Sequence, residues 1–245
     1  MSLGKCCISG VKHEGTPVGS IVDYDGTAVY ESFPSADYDK TKALLFLPDV
    51  FGIGLNNGKL LADSFAAEGF AVYVPDYLNG DPIPEGALGS PDFDLGAWFG
   101  KHGPDVTRPP LDKVIAALKA KGVTSFAATG YCLGGRYVAD LVLEDVLKVA
   151  VVAHPSLIKI PEDLEAIKKH SVPFLWNTCE VDSYFPPEAQ AAADKVFADD
   201  KNYKRTYWKG CSHGYSVRGD VSNPDVKAGK EGTFEASVKF LKENF

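Results

Sequence analysis

The sequence predicts an α/β fold with a mostly parallel central sheet of about eight strands, helices on both faces and an antiparallel hairpin at the N-terminal end. Three observations support this prediction. Short apolar runs alternate with segments of helical periodicity, an Asp-Gly pair separates the first two runs, and 45% of the 245 residues are hydrophobic. Strands that alternate with helices form parallel sheets through right-handed crossovers. We expect one domain over residues 1–245.

Four strands are predicted in the first third of the chain. Asp25-Gly26 separates two of them, and this dipeptide favours the tight turn of a β-hairpin. The next two are short and apolar, as expected of buried strands. Their bounds are Ile21–Tyr24, Thr27–Phe33, Ala43–Leu47 and Ala71–Pro75.

Two helices and one irregular stretch accompany these strands. Leu60–Glu68 carries apolar residues on one face, which indicates an amphipathic helix. Asp76–Pro104 is rich in Gly, Pro and Asp, and we expect it to be irregular and to form much of the substrate pocket. Pro109-Pro110 suits a first helical turn and Gly122 suits a helix end, so a helix is predicted over Pro110–Lys121.

The second half of the chain continues the alternation of strands and helices. The predicted strands are Ser125–Tyr131, Lys148–Ala153, Pro173–Thr178 and Arg205–Trp208. The predicted helices are Leu133–Leu143, Pro187–Asp199 and Pro224–Lys242. Reactive side chains gather at the carboxyl ends of strands in an open parallel sheet, so functional residues are expected just past these strands.

Charge and cysteine content argue against several classes of protein. The chain has 25 basic and 33 acidic residues, a formal charge of −8, which disfavours binding to nucleic acids or anionic membranes. No apolar stretch approaches the roughly 18 residues of a membrane span, and Met1–Gly10 lacks the apolar segment of a secretory signal. The five cysteines show neither a CxxC pair nor zinc-ligand spacing. We expect a reduced, cytoplasmic protein without metal or cofactor.

The hexapeptide Gly130-Tyr131-Cys132-Leu133-Gly134-Gly135 lies between a predicted strand and a predicted helix. This pattern is the nucleophile elbow, with Cys where Ser usually stands. The sharp reversal brings backbone segments so close that only small residues fit at the flanks. The helix N-terminus favours a thiolate at Cys132 and then an oxyanion. The alternative is a buried, inert cysteine.

A thiol nucleophile needs a base, and the base needs a group that fixes its tautomer. His154 and His213 both follow predicted strands. His213 is favoured because α/β-hydrolases carry their triad in the order nucleophile, acid, histidine, whereas His154 is expected to line the pocket or cap a strand. Asp182 is the preferred acid and Glu180 the alternative, since both follow the strand that precedes His213.

Together these residues resemble the dienelactone hydrolase family of α/β-hydrolases, also called carboxymethylenebutenolidase-like, and its fungal members in particular. The similarity extends over nearly the whole chain, and the elbow with Cys is its most specific part. The matching segments are Gly130–Gly135, Val181–Pro186, His213–Tyr215, Arg218–Asp220, Pro48–Gly52 and Gly4–Cys7.

The resemblance implies an α/β-hydrolase fold and a triad of Cys132, His213 and Asp182 that hydrolyses a small lactone or ester through a thioester. It also implies an oxyanion hole made by the backbone N–H groups of Val50 and Leu133.

Two family positions differ in this chain. In the family, an acidic residue at the position of Asp49 holds the resting thiol and takes its proton when substrate arrives, and that residue is usually Glu, one methylene longer. Family enzymes bind the substrate carboxylate with two arginines. Arg218 is the counterpart of one, and the other position falls near Gly80. The alternative for Arg218 is a surface ion pair with Asp220.

The remaining expectations concern the pocket and the partners. Aromatic residues near the strand ends favour an apolar or planar ligand, and Tyr131, Tyr184 and Tyr215 are the predicted aromatic contacts. The other predicted substrate contacts are Arg218, which the family resemblance implies, and His154, which follows a predicted strand. The expected partner is a small-molecule lactone or ester, with no nucleic acid and no membrane. We expect a monomer or a weak homodimer.

One alternative function remains at this point: a non-catalytic or thiol redox-sensing protein on a hydrolase scaffold. Cys179 and Cys211 lie just before Asp182 and His213, so a disulfide between them at the mouth of the site is a second hypothesis. A serine lipase is a third and weaker hypothesis, because the chain has no Gly-x-Ser-x-Gly motif.

Overall fold

The computed structural model describes residues 13–245 and confirms the predicted α/β class. Eight strands form one sheet, and their interior positions are largely buried. The Gly4–Cys7 segment of the family resemblance lies outside the described residues. The strands are β1 (Ser20–Tyr24), β2 (Thr27–Ser32), β3 (Lys42–Leu47), β4 (Val72–Pro75), β5 (Ser125–Tyr131), β6 (Leu147–Ala153), β7 (Phe174–Val181) and β8 (Tyr203–Ser212).

The strand order is β1-β2-β4-β3-β5-β6-β7-β8. The β1–β2 and β2–β4 pairs are antiparallel, and the pairs from β4 through β8 are parallel. The predicted hairpin turn is present, with positive φ at Asp25 (52°) and Gly26 (86°), as a tight two-residue turn requires. The parallel part of the sheet therefore presents its carboxyl ends along one edge.

Helices cover the sheet in two groups. The helices are α1 (Asn56–Ala67), α2 (Leu95–Lys101), α3 (Pro104–Ala120), α4 (Leu133–Leu143), α5 (Glu162–Ile167), α6 (Pro187–Val196), α7 (Tyr215–Arg218) and α8 (Pro224–Asn244). One group consists of α1, α7 and α8, which contact one another, and a second group runs from α3 through α6. None of the helices in residues 13–245 is both long enough and apolar enough to cross a membrane.

The stretch predicted to be irregular, Asp76–Pro104, contains a helix. Asp94 caps α2 by accepting a hydrogen bond from the Ala97 N–H at 2.9 Å, a local signal that the Gly- and Pro-rich composition obscured. α3 begins at Pro104 instead of Pro110, so Pro109 and Pro110 lie inside it. The Val106 carbonyl, which loses the N–H of Pro110 as a partner, accepts a hydrogen bond from Asn79 Nδ2 at 3.3 Å. That compensation depends on a residue distant in sequence.

The last two strands are longer than predicted. β7 continues to Val181 with a bulge, and β8 continues to Ser212. β8 is an edge strand with many exposed polar residues, so its ends lack the apolar pattern of a buried strand. Two short helices, α5 and α7, were also absent from the prediction because each offers too few residues for a helical period.

Polar side chains follow the ends of five parallel strands. Asp49 comes after β3, Cys132 after β5, His154 after β6, Asp182 after β7 and His213 after β8. These five strands are consecutive neighbours in the sheet. The fold therefore gathers these residues at one edge, although they are spread over 165 positions, 49 to 213, of the sequence.

Candidate active site

Close packing explains the glycines of the elbow. Cys132 has φ 51° and stands at the N-terminus of α4. A Cβ at Gly130 would lie 2.5 Å from the Gly134 carbonyl oxygen, and a Cβ at Gly134 would collide with the Leu47 carbonyl oxygen. The absence of these side chains lets α4 approach β5 and the end of β3. The strained backbone then turns the Cys132 side chain out of the helix.

The Cys132 thiol is nearly buried, with 8% of the residue exposed. Its sulfur lies 3.7 Å from the Ser156 hydroxyl oxygen. The Cys132 carbonyl accepts hydrogen bonds from the N–H groups of Gly135 and Ser156, both at 3.0 Å. Two segments, α4 and the loop after β6, therefore hold the nucleophile candidate in place.

His213 and Asp182 form a direct pair. His213 Nδ1 donates to Asp182 Oδ1 at 2.9 Å, and the same oxygen accepts the N–H groups of Tyr184 at 2.9 Å and Phe185 at 3.1 Å. Three donors fix the carboxylate and, through it, the tautomer and orientation of the imidazole. The alternative acid, Glu180, instead accepts the Gly210 N–H at 2.8 Å and makes no contact of this kind with His213.

The second ring nitrogen of His213, Nε2, is available for proton transfer. Nε2 is buried and makes no hydrogen bond of standard geometry with the described residues. Burial by itself lowers the His213 pKa, but the hydrogen bond to Asp182 and the neighbouring Cys132 thiol raise it, with a net value of about 9. Catalytic hydrogen bonds are often long before substrate binds. The arrangement suits proton exchange between Cys132 and His213.

Two backbone N–H groups occupy the predicted oxyanion-hole positions. The Leu133 N–H belongs to the first turn of α4, where helical N–H groups have no partner within the helix. The Val50 N–H makes no hydrogen bond with the described residues. The buried Tyr77 hydroxyl donates to the Pro48 carbonyl and anchors the loop that carries Val50. The predicted oxyanion-hole positions therefore have free donors.

Asp49 pairs with Arg218. Asp49 is buried, its Oδ1 accepts the Phe51 N–H at 3.0 Å, and its Oδ2 accepts Arg218 Nε at 3.0 Å. Burial raises the Asp49 pKa against the opposing effect of Arg218. The expected contact between Asp49 and the resting thiol is absent among the described contacts. The alternative pairing of Arg218 with Asp220 is wrong, because the guanidinium turns inward and stacks over the Phe51 ring.

His154 is part of the scaffold beneath the site. It is fully buried, its Nε2 lies 2.7 Å from the Ser216 hydroxyl, and its ring centroid is 4.9 Å from that of His213. Burial lowers its pKa well below the ordinary value, and the nearby His213 and Arg218 lower it further. His154 is thus held neutral behind His213 and has no exposed surface for a substrate, contrary to the prediction.

The three tyrosines predicted to contact the substrate differ in their exposure. Tyr184 is half exposed, and its ring centroid lies 4.7 Å from that of His213, next to the reacting groups. Tyr131 is buried and stacks on Phe46. Tyr215 is buried, and its hydroxyl lies 2.6 Å from Thr233 Oγ1. Of the three, only Tyr184 presents an exposed ring at the site.

Cys179 and Cys211 are both free thiols in a buried cluster with Tyr215. They therefore lie beneath the site and not at its mouth. Cys179 Sγ donates to Asp182 Oδ2 at 3.8 Å. Burial raises the pKa of Cys179 well above its ordinary range and that of Cys211 to about 11. Such thiols are poor redox sensors, because oxidation proceeds through the thiolate.

The sequence reasoning missed three residues that shape the site. Ser156 contacts the thiol, Ser216 holds His154, and Phe51 supports Arg218. The position of Ser156 soon after β6 was a usable signal, since β6 neighbours the elbow strand. Phe51 lies within the Pro48–Gly52 segment of the family resemblance, whereas Ser216 had no such signal. No group of three or more metal-ligating side chains occurs within residues 13–245.

A family profile and relatives of similar length match this chain. The sequence profile of the dienelactone hydrolase family matches residues 28–245. Hydrolase pyvD of Aspergillus violaceofuscus is 34% identical over 241 residues, which cover 98% of this chain and 96% of that protein. Dienlactone hydrolase 1 of Gibberella moniliformis is 28% identical over 244 residues, covering 96% and 92%.

Solved structures share the fold. A dienelactone hydrolase-like promiscuous phosphotriesterase from metagenomic libraries superposes with a TM-score of 0.70 at 20% identity, covering 94% of this chain and 100% of that one. A thermophilic esterase from Thermogutta terrifontis gives a TM-score of 0.63 at 16% identity, covering 93% and 94%. The chain therefore has the architecture of α/β-hydrolases.

Proposed function

The chain belongs to the dienelactone hydrolase family, and from that premise we propose that it hydrolyses a small lactone or ester through a Cys132–His213–Asp182 triad and a thioester intermediate. An ester or lactone hydrolase is what the family and the fold support. The cysteine nucleophile and the thioester intermediate are the more specific part of this proposal. The observation that carries it is the juxtaposition of an elbow thiol with a histidine whose other nitrogen is fixed by a buried carboxylate.

Acylation follows from this geometry. The Cys132 proton passes to His213 Nε2, and the thiolate attacks the substrate carbonyl carbon to form a carbon–sulfur bond. The carbonyl electrons move to its oxygen, which the N–H groups of Val50 and Leu133 stabilise. The carbon–oxygen bond then breaks, and His213 returns the proton to the leaving alcohol. In a lactone, that alcohol remains attached to the acyl chain.

Deacylation uses the same groups in the reverse roles. Neutral His213 takes a proton from water, and the resulting hydroxide attacks the thioester carbon. The second oxyanion occupies the same pair of N–H groups. Collapse breaks the carbon–sulfur bond, releases the carboxylic acid and restores the Cys132 thiolate beside the His213 imidazolium. Asp182 stabilises that imidazolium at both stages without taking its proton.

A substrate panel tests this function. Lactones and small activated esters are assayed with the wild type and with Cys132→Ala, and hydrolysis confined to the wild type supports the proposal. Reversible oxidation of Cys132 by peroxide, without turnover of any panel member, would favour a redox sensor instead.

The pH profile of acylation gives a separate prediction. The reactive form pairs the thiolate with imidazolium, and the His213 pKa of about 9 keeps that imidazolium protonated at neutral pH. Since deprotonation removes the acid that serves the leaving group, kcat/KM should fall as the pH rises past about 9. Asp182→Asn removes one cause of the raised His213 pKa. In this variant, kcat/KM should therefore begin to fall at a lower pH than in the wild type. Identical alkaline limbs in both proteins would contradict this assignment.

We also expect at most weak preference for a carboxylated substrate. Arg218 already bonds Asp49, whereas Arg108 and Arg136 each pair with two carboxylates. Gly80 supplies no cation where a second arginine would stand. A neutral methyl ester should therefore be hydrolysed at least as well as the parent lactone acid.

The measurement is the acid-to-neutral ratio of kcat/KM in the wild type and in Arg218→Ala. The ratio should fall at most about tenfold in the variant, since a charged hydrogen bond contributes about 1.5–3 kcal/mol, the guanidinium is partly solvated, and its Nε is already bonded to Asp49. Adding Asp49→Asn to the variant removes the unpaired carboxylate, which would otherwise repel the acid and not the ester. A strong wild-type preference for the acid would show that another cation binds it.

A further inference from the structure

Ser156 has a side chain whose only described hydrogen-bond partner is the candidate nucleophile. The residue is 4% exposed, and its hydroxyl oxygen lies 3.7 Å from Cys132 Sγ. Its N–H donates to the Cys132 carbonyl at 3.0 Å. A buried hydroxyl ordinarily forms a hydrogen bond with a carbonyl or another strong acceptor. The contact of the Ser156 hydroxyl with a sulfur atom therefore needs an explanation.

The loop that carries Ser156 is shaped to make this contact. His154 and Leu157, on either side of Pro155-Ser156, have positive φ values of 39° and 60°, which are unfavourable for residues other than glycine. A Cβ at Gly135 would lie 2.7 Å from Pro155 Cβ, so this glycine lets the loop pack onto the elbow. Strain of this kind persists where surrounding structure enforces it, commonly at functional sites.

We propose that Ser156 is a catalytic residue whose hydroxyl donates a hydrogen bond to the Cys132 sulfur and stabilises its thiolate. The inference rests on the proposed function, in which Cys132 is the nucleophile. A thiolate has no proton to give, so the hydroxyl must act as the donor in the charged state. Hydrogen bonds to ionised groups are stronger than neutral ones, so this contact strengthens as the sulfur gains charge.

Asp49 does not compete for this role. Its two oxygens accept the Phe51 N–H and Arg218 Nε, and it is buried in that arrangement. The Ser156 hydroxyl lies within hydrogen-bonding distance of Cys132 Sγ, which also neighbours His213, the proposed proton acceptor. The carboxylate expected to hold the resting thiol is thus bonded to other groups, and the Ser156 hydroxyl contacts the sulfur instead.

The proton balance is simple. The Cys132 proton moves to His213 Nε2 and then to the leaving alcohol, while Ser156 keeps its own proton throughout. Its hydrogen bond weakens when the sulfur becomes part of the neutral thioester. It strengthens again when the thiolate departs in deacylation. Ser156 therefore assists the sulfur both as nucleophile and as leaving group.

Two rates measured per folded site test the role: single-turnover acylation by an activated ester, and alkylation of Cys132 by iodoacetamide. Loss of one hydrogen bond should reduce the thiolate population about tenfold. The freed thiolate is intrinsically more reactive by about threefold, given a Brønsted coefficient of about 0.4–0.5. Both rates should therefore fall about threefold in Ser156→Ala, with KM for substrate unchanged.

Ser237→Ala is the matched control. Ser237 is also a buried serine, but its hydroxyl donates to the Thr233 carbonyl at 2.7 Å, away from Cys132. Both rates should stay at the wild-type value in this variant. Ser156→Gly removes the same hydroxyl as Ser156→Ala with a different effect on the backbone, so agreement between the two assigns the loss to the hydroxyl.

Wild-type rates in Ser156→Ala and Ser156→Gly, with Cys132 still acylated, would overturn this inference and leave the nucleophile assignment intact. Turnover that survives Cys132→Ala would overturn the proposed function and this inference with it.

Discussion

Cys132→Ala should reduce hydrolysis by on the order of 10³-fold or more, the scale of loss when a catalytic triad is broken. Cys132 is the residue at the apex of the elbow, where the strained backbone meets the N-terminus of α4. The predicted oxyanion-hole donors are unchanged by the substitution, so a residual rate above that in water is expected. The measurement is kcat/KM for the best substrate of the lactone and ester panel.

Cys211→Ala is the control for this experiment. Cys211 is likewise a buried free thiol, but its Sγ donates to the Asp225 carbonyl at 3.6 Å and not to a reacting group. Activity should be retained in this variant. Equal losses in Cys132→Ala and Cys211→Ala would show that a buried thiol supports the fold and not the chemistry.

His213→Ala should cause a loss of similar size, again on the order of 10³-fold, because acylation and deacylation both move a proton through this imidazole. Its Nδ1 is committed to Asp182, and its Nε2 is without a partner among the described residues. Cys132 should also lose its fast reaction with iodoacetamide at neutral pH. The effects of the Cys132 and His213 substitutions should be far from additive, since the residues act as a unit.

His170→Ala serves as the matched control for His213→Ala. His170 also pairs with a carboxylate, with Nδ1 at 2.8 Å from Asp145 Oδ1, but that carboxylate is exposed and lies on a different part of the chain. Its removal should leave kcat/KM unchanged. Wild-type acylation in His213→Ala would show that a different residue is the base.

The sequence was sufficient for the parts of the site that depend on strand ends. Cys132, Asp182 and His213 each directly follow a strand, so alternation of strands and helices locates them without knowledge of distant contacts. The class of the fold follows from the same alternation. The elbow motif adds specificity because its glycines are required by the close approach of α4 to β3 and β5.

Other features depend on contacts that no local pattern records. Arg218 and Asp49 are 169 positions apart, and their ion pair arises from the packing of α7 near the loop after β3. The early start of α3 depends on Asn79, which satisfies a carbonyl that proline leaves without a partner. His154 resembles a second candidate base in sequence, and only its burial against Ser216 and His213 shows its supporting role.

The most direct test of the cysteine mechanism is mass spectrometry of the protein quenched during turnover of a slow activated ester. The wild type should carry one acyl group on the peptide that contains Cys132, released by hydroxylamine as expected of a thioester. An acyl group on another residue, such as Ser156, or steady turnover without any acyl group on Cys132, would contradict the mechanism.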